Sequence, residues 1–309
     1  MGCWHERLLA CSLAFCFAVT AMAAEPMTVE DYMALSGPAP NAHIPYGEAP
    51  SQYIELFLPP GGGLFPVVVL VHGGCWVKEF QGITQMRNLA GALTAQGIAV
   101  WNVEYRRIDE DGGGYPGTYQ DVAAALDLLV ANAAVHRLDT RRLVAMGHSA
   151  GGHLVQWLAG RGLLPPSSPL YQAHPFKVRE IIALGSIGDL RDRAGSLKST
   201  CGVEAAQLTG PPSGTRPDVY ADTSPAELMP NGSHTVLING ALDTISTPQT
   251  AADYAARARK AGDAVEVLLL PQASHFDEVA ASSPAWALIL PVIQRALGSP
   301  DKRFASIGP

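Results

Sequence analysis

Ser149 lies in Gly147-His148-Ser149-Ala150-Gly151, a G-x-S-x-G pattern. The apolar run Leu143–Met146 leads straight into it, and an apolar stretch at helical spacing follows. A tight strand-to-helix turn of this kind forces a serine into a strained backbone conformation. Glycines two residues to either side let neighbouring chains pass closely. The serine oxygen then projects from the sheet edge, and the helix N-terminus faces any anion formed there. Ser149 is therefore a candidate nucleophile for acyl transfer. Gly152 adds another small residue for close packing, while His148 and His153 read as structural neighbours.

A serine hydroxyl attacks poorly until a base takes its proton. His275 follows the apolar segment Val265–Leu270 in a loop, and Asp243 follows Thr235–Asn239. The chain order Ser, Asp, His is the one that a serine on such a turn requires. A carboxylate at Asp243 can accept the N–H of His275, fixing its tautomer and steadying the imidazolium. Asp189, after the preceding strand, is the rival acid, although it lies upstream of the expected position. His234 precedes a strand and is less well placed as a base. Asp277 and Glu278 sit beside His275 and read as surface charges. Glu104-Tyr105-Arg106-Arg107 closes a strand and reads as a buried or semi-buried charge network. Activity is expected to rise through roughly pH 6–7 as His275 loses its proton.

The tetrahedral intermediate of acyl transfer needs N–H donors for its oxyanion. His72-Gly73-Gly74-Cys75-Trp76 follows the apolar run Pro66–Val71, and a Gly-rich loop there supplies a backbone N–H. The N–H of Ala150, just after the nucleophile, is the second donor. Cys75 contributes its main chain in this reading, and its thiol need not react. No metal or organic cofactor is expected.

The elements that must position these residues alternate along the chain. Strands are predicted at Tyr53–Leu58, Val67–Val71, Ile98–Tyr105, Leu143–Met146, Glu180–Leu184, Thr235–Asn239 and Val265–Leu270. Helices are predicted at Ile83–Gln96, Tyr119–Ala133, Ala150–Leu158, Pro248–Ala261 and Pro284–Leu297. Such alternation gives a mostly parallel central sheet flanked by helices, and with the serine turn and the Ser, Asp, His order the expected fold is that of an α/β-hydrolase. Residues 24–50 read as an extended lead-in, and 51–309 as one catalytic domain. Residues 186–233, rich in Gly, Pro, Ser and Thr, read as an irregular lid-like insertion.

The 309 residues include 48% hydrophobic and 16% charged residues, enough apolar material for a sizeable core. A net charge of -7 argues against nucleic acid and anionic membranes as partners. Leu8–Val19 is an apolar run of 12 residues, short for a membrane span, and Ala21-Met22-Ala23 is a small-x-small site. Residues 1–23 thus read as a secretory signal peptide cleaved near Ala23, making the chain periplasmic or secreted with no stable membrane association. Cleavage removes Cys3, Cys11 and Cys16 and leaves Cys75 and Cys201. In an oxidising compartment two readings stay open: a disulfide, or two separate buried thiols.

Together the His72–Trp76 loop and the Gly147–His153 run resemble the kynurenine formamidase and acetyl-esterase branch of the α/β-hydrolases. His275-Phe276-Asp277 is similar to the H-F-[DE] context of the formamidase histidine, and Glu104-Tyr105-Arg106 to the D-Y-R run of that group. The resemblance covers roughly residues 50–298. It implies Ser149, Asp243 and His275 as a triad and oxyanion amides from Gly74, Cys75 and Ala150. Cys75 departs from the aromatic residue or Gly usual there, so the pocket wall is expected to differ. Export fits poorly with intracellular kynurenine formation. The expected activity is therefore serine esterase chemistry on a small-molecule or polysaccharide-linked ester, such as acetyl or feruloyl groups on plant polysaccharide. Arylformamidase activity is the alternative reading, and a non-catalytic binding protein on a hydrolase scaffold is a further one.

Overall fold

The structure is a computed structural model that describes residues 25–298 apart from Gln81. The expected signal peptide, with Cys3, Cys11 and Cys16, lies outside the described residues. Eight strands form one sheet: β1 (Ala42–Pro45), β2 (Tyr53–Phe57), β3 (Phe65–Val71), β4 (Ala99–Val103), β5 (Leu138–His148), β6 (Glu180–Leu184), β7 (His234–Gly240) and β8 (Ala264–Leu270). Their spatial order is β1-β2-β4-β3-β5-β6-β7-β8. β1 and β2 run antiparallel to their neighbours, and all pairs from β4 to β8 are parallel.

The helices are α1 (Val29–Ala34), α2 (Ile83–Thr94), α3 (Gly117–Asn132), α4 (Ala150–Gly160), α5 (Leu190–Arg193), α6 (Leu197–Cys201), α7 (Ala205–Thr209), α8 (Pro248–Ala261) and α9 (Trp286–Ala296). Side chains alternate across a strand, so a strand apolar at every position must be covered on both faces. β3 does this: Val67, Val69 and Val71 enter one apolar layer, and Val68 and Leu70 the other. α3, α4 and α8 close the first layer with Leu126, Leu129, Leu154, Trp157 and Tyr254. Tyr32 of α1, Met86 and Leu89 of α2, and Ile289 and Ile293 of α9 close the second. At the far edge β8 leaves Val267 and Leu269 exposed.

Three expectations need correction. Residues 24–50 are more than an extended lead-in. They form α1, started by a Thr28 capping box with Asp31, and β1, paired with β2 from Ala42↔Leu56 to Pro45↔Tyr53. The folded domain therefore begins before residue 51. The signal was hard to read because β1 has four residues in an alternating half-buried pattern. β5 is longer than the apolar core Leu143–Met146, because a register shift at Pro66/Val67 accommodates its polar first half. The insertion 186–233 contains α5, α6, α7 and a 3-10 turn at Pro225–Glu227. Each is too short for the helical period to show in sequence.

Candidate active site

β5 delivers Ser149 to the end of the sheet, with φ 53° and ψ -116°. A positive φ in a residue bearing a Cβ is a strained state that only a well-determined turn sustains. The turn is fixed on every side. The Ser149 N–H donates to the Leu184 carbonyl at 2.8 Å, and the Ser149 carbonyl accepts from the His153 N–H at 3.1 Å. A Cβ at Gly147 would lie 2.2 Å from the Gly151 carbonyl oxygen. One at Gly151 would lie 2.2 Å from the Val71 oxygen. Both glycines are thus required where β5, α4 and β3 cross, as the motif predicts.

The His72–Trp76 loop leaves β3 and passes beside this serine. A Cβ on Gly73 would sit 3.0 Å from Ser149 Cβ. Gly74, Cys75 and Trp76 follow with φ of 99°, 50° and 57°. The N–H groups of Gly74 and Cys75 donate to no other described residue. The Ala150 N–H heads α4, where helix geometry supplies no intrahelical acceptor. Cys75 is disulfide-bonded to Cys201, which resolves the two readings left open in sequence.

His72 anchors the base of the loop, a role that sequence reasoning missed. Its Nε2 meets Glu104 Oε1 at 2.7 Å, its ring stacks on Tyr105 at 4.3 Å, and the Tyr105 hydroxyl donates to its carbonyl at 3.0 Å. Arg107 pairs with the other Glu104 oxygen at 2.7 Å. Burial works against the Glu104 charge, but His72 and Arg107 outweigh it and hold the carboxyl below the usual range. The run Glu104–Arg107 is a buried charge network, as the sequence suggests. Arg106 contributes through a bidentate pair with Asp121.

His275 Nδ1 lies 2.7 Å from Asp243 Oδ2, and both residues are buried. Asp243 Oδ1 accepts the N–H groups of Ile245 and Ser246 at 2.7 and 2.9 Å. The carboxylate is thus aimed by its own turn. Asp189 is engaged elsewhere: it caps α5 through the Asp192 N–H and pairs with Arg257 at 2.6 Å. His234 sits at the opposite end of β7, between Glu180 and Glu266.

His148 is buried and held neutral, since burial and the nearby His275 push it well below the ordinary histidine range. Its Nε2–H therefore donates to the His275 carbonyl, at 3.0 Å, and the two rings lie 4.4 Å apart. The residue next to the nucleophile thus braces the loop that carries His275. His153, pushed down to about 4 by burial, bridges the Ile187 carbonyl and the Tyr119 hydroxyl.

Asp277 and Glu278 are not surface charges; both are buried. Asp277 accepts from the Met27 N–H, the Ser274 N–H and hydroxyl, and the Ser283 hydroxyl. The Ser274 hydroxyl also contacts the Met27 carbonyl at 2.6 Å, so the N-terminal segment is tied to the His275 loop. Among the described residues, His148, His275 and Glu278 form the one group with three metal-capable side chains, their nearest donor atoms within 4.8 Å of one another. His275 Nδ1, His148 Nε2 and Glu278 Oε1 each have a protein partner, whereas His148 Nδ1 and Glu278 Oε2 have none among the described residues.

A strand order of this kind, with a strained serine after β5, an acid after β7 and a histidine after β8, defines an α/β-hydrolase. Residues 54–256 match the BD-FAE family, and the chain belongs to it. It is similar to a probable isoprenylcysteine alpha-carbonyl methylesterase of Arabidopsis thaliana, with 29% identity over 152 residues. That match covers 49% of this chain and 34% of the plant protein. It is also similar to a probable isoprenylcysteine alpha-carbonyl methylesterase of Oryza sativa subsp. japonica, 30% identical over 112 residues, covering 36% of this chain and 25% of the rice protein. The chain therefore spans about a third or less of the curated relatives it matches. Among solved structures, esterase B from Lactobacillus rhamnosis superposes with a TM-score of 0.69 at 19% identity, covering 87% of this chain and 90% of the other. A truncated carbohydrate esterase from gut microbiota gives 0.68 at 16% identity, over 89% and 99%. These likenesses establish the shared fold.

Proposed function

We propose that the chain is an exported serine esterase that cleaves carboxylic esters through Ser149, His275 and Asp243. The observation that carries this reading is the buried His275–Asp243 pair at 2.7 Å, at the same sheet end as a strained serine. In the proposed reaction His275 takes the Ser149 proton as the oxygen attacks the ester carbonyl. Asp243 keeps the His275 tautomer correct and stabilises the imidazolium. The N–H groups of Gly74, Cys75 and Ala150 receive the oxyanion. His275 then protonates the departing alcohol, and water, activated by the same histidine, releases the acid from Ser149.

The esterase names of the plant relatives and structural neighbours support ester substrates, and the carbohydrate esterase neighbour supports a polysaccharide-linked acyl group. Export is supported by the Leu8–Ala23 pattern and by a Cys75–Cys201 disulfide, which persists in oxidising compartments. Among the described residues no helix is long and apolar enough to cross a membrane.

The test is hydrolysis of p-nitrophenyl acetate by the chain from residue 24 onward, beside Ser149→Ala. Release by the wild type and its loss in the variant are expected. A folded wild type that leaves p-nitrophenyl acetate and acetylated xylan intact would sink the esterase reading. Cleavage of N-formylkynurenine in its place would mark an arylformamidase.

A further inference from the structure

Glu278 lies in the 3-10 turn Asp277–Val279, three residues after His275, and is fully buried. Its Oε1 accepts the Gly240 N–H at 2.6 Å. Gly240 ends β7, and its carbonyl accepts the Asp243 N–H at 3.1 Å, so Glu278 grips the turn that presents the acid. Its Oε2 has no donor among the described residues. That oxygen points toward the acid–base pair. A Cβ on Gly185 would lie 2.4 Å from Glu278 Oε2 and 2.7 Å from His275 Nδ1, so only a glycine there lets the two approach. Asp243 Oδ2 lies 2.7 Å from that same His275 Nδ1, so the Glu278 and Asp243 carboxyl groups are neighbours at one histidine nitrogen.

Two facing, buried carboxylates without a donor between them repel, and one proton turns the repulsion into a hydrogen bond. We propose that Glu278 is a positioning residue of the Ser149 reaction: it holds a proton on Oε2 and donates it to Asp243, fixing the carboxylate against His275. Burial, and then the Asp243 charge, push the Glu278 carboxyl well above the usual range. The groups facing it are Asp243 from the turn after β7, Asp277 and His275 from its own loop, and His148 from β5. The Gly240 amide supports its charged form but satisfies only the other oxygen.

This inference rests on the triad reading, so Ser149→Ala is run alongside. Glu278→Gln keeps a neutral side chain with a donor, and Glu278→Leu removes the donor. On p-nitrophenyl acetate the Gln variant is expected to keep the larger part of the turnover. The Leu variant is expected to lose kcat about ten- to hundredfold at unchanged KM, the scale of one buried hydrogen bond to a charge. Its acid limb should also move to higher pH, because an undamped Asp243 charge favours the imidazolium. Equal losses in Gln and Leu, or a folded Leu variant with wild-type kcat and pH profile, would overturn the proposal. If the Leu variant does not fold, Glu278→Met, an unbranched side chain of similar length with no donor, replaces it with the same expected readouts and the same overturning outcome. Retained activity in Ser149→Ala would instead remove the triad reading itself.

Discussion

Cys75 and Cys201 are joined across 126 residues with their Cα atoms 5.4 Å apart, tying the loop beside Ser149 to α6 of the insertion. The cross-linked loop residue is one whose N–H is proposed to receive the oxyanion, and its φ is positive. Joining a loop of a hundred or more residues stabilises by roughly 4–5 kcal/mol in the chain-entropy view. Cys201→Ala is therefore expected to lower Tm by about 10 °C or more. It should also lower ester turnover in the cold, where the variant remains folded, by loosening the Cys75 main chain. Scanning calorimetry beside initial rates checks both, and an unchanged Tm would show that the bridge is absent or idle.

Asp243→Asn leaves the His275 loop and the Ile245 and Ser246 contacts a similar shape, but an amide can offer an N–H where Nδ1–H needs an acceptor. The wrong tautomer then faces Ser149, and kcat is expected to fall by about 10⁴ with the fold retained. Asp189→Asn, whose carboxylate serves α5 and Arg257, should keep wild-type turnover. Steady-state rates of the two purified variants decide between the acids; the opposite pattern would move the acid to Asp189.

Much of this site is legible in sequence because its chemistry depends on local patterns. The Gly147–Gly151 turn, the His72–Trp76 loop and the positions of Asp243 and His275 after strands all follow from residue type and order. The burial of Glu278 and Asp277 is not legible, because adjacent charges usually face solvent and their burial depends on β7 and Met27 reaching them from distant parts of the chain. Likewise His72 looks like a mere prelude to two glycines until β4 places Glu104 and Tyr105 against it. β1 and α1 are not legible because four- and six-residue elements carry too few periods.

His153 gives the stability a defined acid sensitivity. Its folded-state pKa is depressed to about 4 by burial, against an unfolded value near 6.5. A depressed value means that the unfolded chain binds the proton first as pH falls. The stability that His153 confers is thus complete above about pH 6.5 and is lost progressively toward pH 4, by about 3 kcal/mol at most. Glu278, raised in the folded state, acts in the opposite direction above its unfolded pKa, so the His153 part is read by difference. Urea midpoints of wild type and His153→Gln are expected to converge as pH falls from 7 to 4. A gap that stays constant over that range would mean that His153 does not titrate with unfolding.

Gly73 tests whether the loop must approach the nucleophile this closely. An added Cβ would meet His148 Nδ1 at 2.8 Å, the His148 carbonyl at 2.9 Å and Ser149 Cβ at 3.0 Å. His148 belongs to β5 and its ring is held against the His275 carbonyl, so β5 will not yield and the loop must. Displacing the loop carries the Gly74 and Cys75 N–H groups away from the carbonyl oxygen they are proposed to receive. Loss of one such donor costs about 10²–10³ in kcat. Gly73→Ala is therefore expected to fold, keep KM within a few-fold and lose kcat by about a hundredfold or more. Gly162→Ala, where the new methyl group meets nothing within 4 Å, is the control and should match wild type. Circular dichroism establishes folding, and initial rates on p-nitrophenyl acetate give kcat. A folded Gly73→Ala enzyme with wild-type kcat would place the oxyanion donors outside this loop.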